Sequence, residues 1–250
     1  DGSWNLFTVA FGDEGELRVR AAPVRHTAPT VGYVVEEAPK KGRLRPELVM
    51  PRLEANRDAL RAEWGVRDPR TLMKRVKALA PDEILELPDG SAIRGSEVMG
   101  DERRGRKVVV LGDTCDASPC EDIARGADLL IHEATNAYMP QYGDRGGEAR
   151  FTSEVIAKGH STPRMAGLTA AAWGARALLL THFSQRYHPG ATRAMRGIHE
   201  MAVRASGLEP SRVVTAYDSL TLPIWQSDRE KPLQPDSIGM EGERMDECAS

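Results

Sequence analysis

The stretch GRKVVVLGDTCDASPCEDIARGADLLIHEAT, residues 105–135, decides the fold. Within it, the apolar runs 108–111 and 129–131 are short and bounded by Gly, Asp and Pro, which predicts two buried strands. The segment between them, 119–125, predicts a short helix. Because strands that alternate with helices are typical of layered architectures, the stretch predicts an α/β fold.

The chain continues this pattern on both sides of the stretch. Upstream, extended runs occupy residues 5–24, and β-branched residues predict a strand at 31–36. Downstream, we expect helices at 151–158, 163–173 and 191–206 and strands at 177–180 and 213–216. The segment 226–250 is polar and lacks an apolar period, so we expect a disordered tail.

Residues 38–105 differ from the rest in their content of Pro, Arg and Lys. Helices are predicted at 52–64 and 69–79, and a turn at 88–90. The basic side chains of its first part are Lys40, Lys41, Arg43, Arg45, Arg52, Arg57, Arg61, Arg67, Arg70, Lys74, Arg75 and Lys77. Nearby Glu and Asp residues offset part of this charge, so a solvated helical face is the alternative to a surface that contacts nucleic acid.

The composition of the chain excludes several classes of protein. Its 250 residues are 40% hydrophobic and 28% charged, an ordinary balance for a globular protein with a sizeable core. No apolar run is long enough to span a membrane, and the first residues, DGSWNLFTVAF, lack the features of a secretory signal. They predict a strand already under way, so we expect the chain to begin within a longer gene product. The formal net charge of −3 means that any RNA-binding surface has to be local.

Three predicted strands end in polar clusters: LGDT at 111–114, IHEAT at 131–135 and LTHFSQRY at 180–187. Because neighbouring strand ends converge on one crevice in open α/β sheets, we expect these clusters to meet. They contribute two histidines and two carboxylates, which are good ligands for zinc. The sequence therefore contains the elements of a metal site.

Each of these residues also has a purely structural interpretation. Asp113 is placed as a helix N-cap, and His132 and His182 are compatible with hydrogen-bonded core histidines. His26 and His160 lie in comparable contexts, however, and chance seldom places four of six histidines at strand ends and turns. The set together therefore favours a shared site. Two histidines without such a context are predicted to be surface residues: His188 and His199.

Five motifs, in order along the chain, resemble those of ribonuclease Z, a tRNA 3′-end-processing endoribonuclease family of the metallo-β-lactamase superfamily. They are PVRHTAPTVGYVVEE at 23–37, GDT at 112–114, HEAT at 132–135, GHST at 159–162 and THFSQRY at 181–187. Each motif alone is weak, but their order and the sequence ADLLIHEATNAY are specific. The resemblance extends over roughly residues 5–222. It implies the C-terminal half of an αββα sandwich, with two zinc ions in a complete site.

The resemblance implies a role for individual residues. His26 corresponds to a ligand of one zinc, Asp113 to the carboxylate that bridges both zincs, and His182 to a ligand of the second. Glu133 and His160 correspond to the pair that protonates the leaving group. These assignments are implied by the family motifs, because spacing alone does not show them.

One departure from the family affects this metal site. The motif HxHxDH, which supplies two ligands to each zinc, does not occur in the 250 residues. With His26, Asp113 and His182 alone, neither zinc has three protein ligands. The motif is supplied elsewhere on the gene product or by another chain, or the chain is an inactive structural subunit of a larger organellar assembly, or it is another hydrolase of this fold. The intact remaining motifs favour the first explanation, since buried His and Asp are costly without a metal.

The resemblance also divides the chain into four regions. Residues 1–37 are expected to end a first sheet, 38–105 to form a basic insert in the position of the family's tRNA-binding arm, 106–225 to form the second α/β half, and 226–250 to be the tail. Precursor tRNA is the implied partner, with Arg186 near its phosphate, where a guanidinium fork can hold two oxygens. Family members are commonly homodimers.

Cysteine usage bears on the compartment. The three cysteines, Cys115, Cys120 and Cys248, are too few and too unevenly spaced for a disulfide framework, which favours a reducing intracellular location. The sequence GDTCD at 112–116 most resembles that of ribonuclease Z family members from plants, algae and their bacterial relatives. A chloroplast or mitochondrion is therefore expected, with the cytosol as the alternative.

Overall fold

The computed structural model describes residues 2–11, 15–187 and 192–224. Contacts divide the chain into two compact units. One unit combines the residues up to 38 with those from 105 onward, and the other is the continuous segment Pro39–Arg104. His188 and the segment 226–250, for which a surface position and a disordered tail are predicted, lie outside the described residues.

Nine strands and eight α-helices make up the described chain. The strands are β1 (Trp4–Ala10), β2 (Glu16–Val24), β3 (Thr30–Glu37), β4 (Ile84–Glu86), β5 (Ala92–Arg94), β6 (Lys107–Leu111), β7 (Leu129–Glu133), β8 (Leu178–Thr181) and β9 (Val213–Thr215). The helices are α1 (Pro46–Ala55), α2 (Arg57–Trp64), α3 (Met73–Ala78), α4 (Gly95–Val98), α5 (Glu121–Ala124), α6 (Glu148–Ala157), α7 (Pro163–Ala172) and α8 (Thr192–Ser206).

A seven-stranded mixed sheet with the order β1-β2-β3-β6-β7-β8-β9 forms the centre of the first unit. The strands β1, β2, β3 and β6 pair antiparallel, whereas β6 to β9 pair parallel. The parallel strands are linked by α5, α7 and α8, as expected where a crossover returns the chain to the same end of the sheet. The prediction of a mixed α/β fold is confirmed.

The helices cover one face of this sheet. Val34, Val109, Leu130 and Leu178 point from four strands into a core in which no part of these side chains is exposed. The helices contribute the apolar side chains Ile123, Ala124, Ala166, Ala170, Ala194, Ile198 and Ala202 to the same cluster. Small alanines on α7 and α8 let these two helices pack closely, and burial of this surface is the main source of stability for the unit.

The opposite face of the sheet is apolar as well, and we call it the open face. Its central row consists of directly paired residues, one from each strand: Trp4, Ala21, Tyr33, Val110, Ile131, Leu179 and Val214. A second row contains Phe7, Val19, Val35, Val108 and Leu129. In the described part of the chain, the core cluster on this face contains strand residues, Ala177 directly before β8, and Ile224. Trp4, Tyr33 and Phe7 are 44%, 41% and 51% exposed.

The register also places β1, β2 and β3 in the same sheet as the later strands. Tyr33 pairs with Val110, and Glu36 pairs with Lys107. Residues 1–37 were expected to end a first sheet. Their last strand, β3, pairs with β6 along five residue pairs, and both strands carry β-branched residues that pack on the helical core.

The second unit has a core of its own. Its fully buried side chains are Val49, Leu53, Leu60, Val76, Ile93 and Val98, from four helices and the hairpin of β4 and β5. The helix predicted at 52–64 is two helices, broken at Asn56, whose side chain amide donates to the carbonyl of Arg52 and to Asp89. The helix predicted at 69–79 begins as a 3-10 turn, Pro69–Leu72. The side-chain carboxylate of Asp68 caps this turn by accepting a hydrogen bond from the backbone N–H of Arg70.

None of the described helices combines the length and hydropathy needed to cross a bilayer. The two described cysteines, Cys115 and Cys120, are free thiols.

Candidate metal centre

Three neighbouring parallel strands end at the edge of the sheet where the polar clusters meet. Asp113 follows β6 by two residues, Glu133 is the last residue of β7, and His182 follows β8 directly. The pairing of Glu133 with Thr181 aligns these ends. The clusters therefore converge, as the rule for open α/β sheets predicts.

The turn between β2 and β3 carries His26 to the same edge. The backbone N–H of Arg25 donates to the carbonyl of Asp116 (2.9 Å), and the N–H of Cys115 donates to the carbonyl of Arg25 (2.9 Å). The hydroxyl of Thr114 donates to that carbonyl too, at 3.0 Å. These bonds tie the turn to the loop that carries Asp113, so two sequence-distant motifs become neighbours.

His160 follows the close of α6, and the glycine before it is required there. Gly159 has a φ of +85°, a conformation that glycine adopts without strain. Its carbonyl accepts a hydrogen bond from Nδ1 of His26 at 2.7 Å. A Cβ atom at this position would lie 2.4 Å from the same nitrogen. Gly159 thus lets the backbone approach the imidazole and hold it.

Glu133 is buried, with 1% of its surface exposed, and both of its carboxylate oxygens are fully used. Oε1 accepts from the N–H of Thr114 (2.7 Å) and from Nδ1 of His160 (3.1 Å). Oε2 accepts from the N–H of Ser161 (3.0 Å) and from the hydroxyl of Thr135. Four donors offset the cost of burying a charge and leave Glu133 no oxygen lone pair for another ligand.

Thr135 connects Glu133 to His182. Because its only hydroxyl proton is donated to the Glu133 carboxylate, Thr135 accepts a hydrogen bond from Nδ1 of His182, at 2.8 Å. His182 has a φ of 55°, in the left-handed region where residues other than glycine are strained. Such strain persists where surrounding contacts determine the conformation, and the bond to Thr135 is one of them.

All three imidazoles at this edge are held through Nδ1. The acceptors are the carbonyl of Gly159 for His26, the carboxylate of Glu133 for His160 and the hydroxyl of Thr135 for His182. Carbonyl and carboxylate oxygens only accept, so each Nδ1 carries the proton in the neutral ring. Each Nε2 then carries a lone pair, as in metal-ligating histidines oriented by an outer partner, and that of His26 lies 3.4 Å from the hydroxyl oxygen of Thr27.

These side chains face a common centre. The ring centroids of His26 and His160 are 5.0 Å apart, and those of His160 and His182 are 5.4 Å apart. Nε2 of His182 lies 3.4 Å from Oδ2 of Asp113. Two ligand atoms about 2.1 Å from a tetrahedral zinc are separated by about 3.4 Å, so this spacing fits a shared cation.

Two groups of side chains have ligand atoms within 4.8 Å of one another: His26, Asp113 and His160, and Glu133, His160 and His182. We favour the first as a cation site because Glu133 is saturated by donors. The imidazole and carboxylate donors present are those that zinc takes in proteins, so the residues fit that metal.

Arg186 has partners of its own. Its Nη2 donates to Oδ1 of Asp144 at 2.9 Å, and its guanidinium lies 5.9 Å from the ring centre of Phe151 and 5.3 Å from that of Tyr187. The contact with phosphate predicted for Arg186 therefore remains a prediction. His132, by contrast, is a buried core histidine whose Nδ1 donates to the carbonyl of Glu133.

Thr135 and Gly159 are the residues of the centre whose contribution sequence reasoning missed. The motifs HEAT and GHST contain both, but spacing does not reveal which acceptor holds each imidazole. A signal existed for Gly159, since a glycine directly before a candidate ligand often marks a close backbone approach.

The proteins similar to the chain include two curated relatives and one solved structure. Ribonuclease BN of Cronobacter sakazakii (strain ATCC BAA-894) is 31% identical over 194 residues, which cover 74% of this chain and 55% of that protein. Ribonuclease Z of Synechococcus sp. (strain WH7803) is 33% identical over 216 residues, which cover 86% of this chain and 57% of that protein. The crystal structure of human tRNase Z, short form, is 21% identical with a TM-score of 0.42, and the match covers 89% of this chain and 47% of that one.

No protein-family model matches the chain. The chain spans 55% and 57% of the lengths of the two curated relatives.

Proposed function

The chain belongs to the ribonuclease Z family, and from that premise we propose that it carries one half of the active site of a zinc-dependent endoribonuclease that removes the 3′ trailer from precursor tRNA. The observation that carries the proposal is the convergence of His26, Asp113, His160 and His182 at one edge of the sheet.

In the complete site, two zinc ions would be held in part by this chain. His26 would be a ligand to one zinc and His182 to the other, and Asp113 would contribute its carboxylate to both. Zinc ions of this kind lower the pKa of a bound water and neutralise charge on phosphate oxygens. The Nδ1 bonds of His26 and His182 orient their Nε2 atoms for this task.

The proton for the leaving 3′ oxygen comes from His160, with Glu133 behind it. Glu133 accepts from Nδ1 of His160 and is buried, so it stabilises the protonated imidazole rather than contacting the substrate. Arg186 binds a phosphate oxygen with the guanidinium nitrogens that do not face Asp144. Its pairing with Asp144 fixes the plane of the guanidinium in advance.

The remaining zinc ligands, an HxHxDH motif, come from another segment of the gene product or from another chain. The open face supports this, because a seven-residue apolar row with an exposed Trp and Tyr is typical of a surface that another sheet covers. The covering sheet would complete the αββα sandwich and bring the motif to the same edge. Activity therefore depends on that segment.

An inactive structural subunit is the second candidate, favoured by the fact that His26, Asp113 and His182 alone give neither zinc three protein ligands. Zinc analysis separates the two. The enzyme takes up two zincs per site once the HxHxDH segment is present, whereas a structural subunit does not reach two.

Precursor tRNA is the proposed substrate, and the unit Pro39–Arg104 is its proposed docking surface. This unit contains fifteen basic and twelve acidic residues, so it is positive although the whole chain has a net charge of −3. Arg67, Arg70, Lys74, Arg75 and Lys77 lie exposed in and before α3. Lys and Arg contacts to phosphates give affinity without base specificity, which suits an enzyme that acts on many tRNAs.

We place the enzyme in a chloroplast or mitochondrion, with the cytosol as the alternative, and as a homodimer. Imaging of a fluorescent fusion of the full gene product checks the compartment, and light scattering of the purified enzyme checks the assembly.

The experiment that tests the proposed function is cleavage of a 3′-extended tRNA by the enzyme with its HxHxDH segment present. We expect Asp113→Ala to abolish cleavage and leave thermal unfolding unchanged, because Asp113 is half-exposed and its carboxylate contacts His182 at the site. Asp122→Ala, at an exposed aspartate on α5, is the control and keeps full activity. Retained cleavage in Asp113→Ala refutes the assigned role.

A further inference from the structure

We propose that the chain on its own binds one divalent cation through Nε2 of His26, the carboxylate of Asp113 and Nε2 of His160. Because His160 is also the acid of the proposed reaction, the bound cation blocks that role until the HxHxDH segment is present. The binding site stands on the geometry of this chain alone. Its consequence for activity rests on the proposed function.

The ligand atoms of these three residues all lie within 4.8 Å of one another. In a tetrahedral zinc site, ligand atoms are about 3.4 Å apart, so each pair has to close by about 1.4 Å or less. Rotation of the half-exposed Asp113 carboxylate provides movement of that size for the two pairs that include Asp113. Three protein ligands with an open fourth position is also the ligand count of catalytic zinc sites.

The hydrogen bonds of the two imidazoles prepare them for this cation. His26 and His160 each donate Nδ1–H to a fixed acceptor, the carbonyl of Gly159 and the carboxylate of Glu133. Their ring centroids lie 5.0 Å apart, and one ring nitrogen of each lies within 4.8 Å of an Asp113 carboxylate oxygen. An outer carboxylate behind a ligating histidine fixes its tautomer and ring orientation, and Glu133 is placed to do this for His160.

His160 is thereby a ligand in the isolated chain and an acid in the complete enzyme. With Nε2 coordinated and Nδ1–H held by Glu133, its imidazole has no proton to give to a leaving group. When a partner segment supplies two ligands to each zinc, His160 is no longer needed as a ligand. The half-site is therefore metal-loaded but inactive.

Titration of the purified 250-residue chain with Co²⁺ and with Zn²⁺, read by metal analysis and by the visible absorption of bound Co²⁺, tests the site. We expect one ion per chain. His160→Asn keeps a side-chain N–H for Glu133 in the place of Nδ1 and removes Nε2, so the fold is retained while affinity falls more than about 100-fold, beyond the loss expected for an outer-shell change.

The control is His199→Gln, which keeps an N–H donor for the carbonyls of Pro210 and Val213 and removes an imidazole away from the centre. We expect it to bind Co²⁺ like the parent chain, and thermal unfolding confirms that each variant is folded. Absence of bound metal, two ions per chain, or unchanged affinity in His160→Asn each overturns the proposal. If these results occur while the complete enzyme still binds two zincs and cleaves tRNA, the proposed function survives and only the half-site is refuted.

Discussion

At the residue scale, the centre is organised by hydrogen bonds to atoms that are not themselves ligands. Glu133 contacts His160 directly and His182 through Thr135, so one buried carboxylate orients two imidazoles. The identities of His26, Asp113, His160 and His182 follow from motif and strand-end reasoning. The acceptors behind them do not, because they depend on which loops meet across the sheet edge.

The role of Thr135 is tested by Thr135→Val, which keeps the shape and removes the hydroxyl. We expect zinc affinity of the complete enzyme to fall about 10- to 100-fold, since His182 loses the acceptor that fixes its tautomer. Thr135→Ser, which keeps the hydroxyl, is expected to retain most of the zinc affinity. In a His182→Ala background the valine change has no further effect, and an equal loss in both backgrounds contradicts the linkage.

His132 provides a prediction on pH. Burial lowers the pKa of this imidazole from the ordinary value of 6.5, because the charged form is desolvated. The unfolded chain therefore binds a proton that the folded chain does not, so the free energy of unfolding decreases as pH falls below 6.5, and is unaffected by this group above it.

The slope from this one group is at most about 1.4 kcal/mol per pH unit. Urea unfolding at a series of pH values measures it. His132→Asn, which keeps a donor for the carbonyl of Glu133, is expected to flatten the slope between pH 6.5 and 5. An unchanged slope in this variant shows that other groups control the acid sensitivity.

At the element scale, the strands of the sheet were predictable and the insert was less so. Short β-branched runs such as 108–111 are apolar on both sides and are recognised from composition alone. The insert 52–79 was predicted as two helices, whereas Asn56 and Pro69 break it into more pieces. The break at Asn56 involves a tertiary contact, Asn56 with Asp89, that periodicity does not reveal.

The helix α3 is expected to be part of the RNA-binding surface. It presents Lys74 and Lys77 to solvent, and the guanidinium of Arg75 lies over the exposed ring of Trp64 at 5.6 Å. A double variant, Lys74→Ala with Lys77→Ala, should reduce the slope of log affinity for tRNA against log salt by about 2, one for each lost phosphate contact.

Filter binding at several salt concentrations measures this slope. Arg196→Ala, at an exposed residue of α8, serves as the control for loss of a positive charge and should leave the slope unchanged. Equal slopes for the parent and the double variant would remove α3 from the binding surface.

At the scale of the whole molecule, the open face is the feature that composition does not reveal. Each strand has apolar residues on both sides, but only the register shows that Trp4, Tyr33 and Val110 form one row with the later strands. An exposed row of this kind favours association with a second sheet, because burial of apolar area contributes about 25 cal/mol per Å².

Tyr33→Lys tests this surface. A lysine ammonium buried between two sheets is costly, so we expect the variant to lose association with a separately produced HxHxDH segment by at least tenfold, measured by calorimetry. Tyr217→Lys, at an exposed tyrosine beyond β9, is the matched control and should associate normally. Normal association of Tyr33→Lys means that the open face is not where the segment binds.

The zinc content of the chain joined to its HxHxDH segment tests most directly the claim that Asp113, His26 and His182 share a pair of cations. Metal analysis of the purified complex is predicted to give two zincs per site, with loss of zinc in Asp113→Ala. Two zincs retained in Asp113→Ala, or none in the parent complex, would contradict the account.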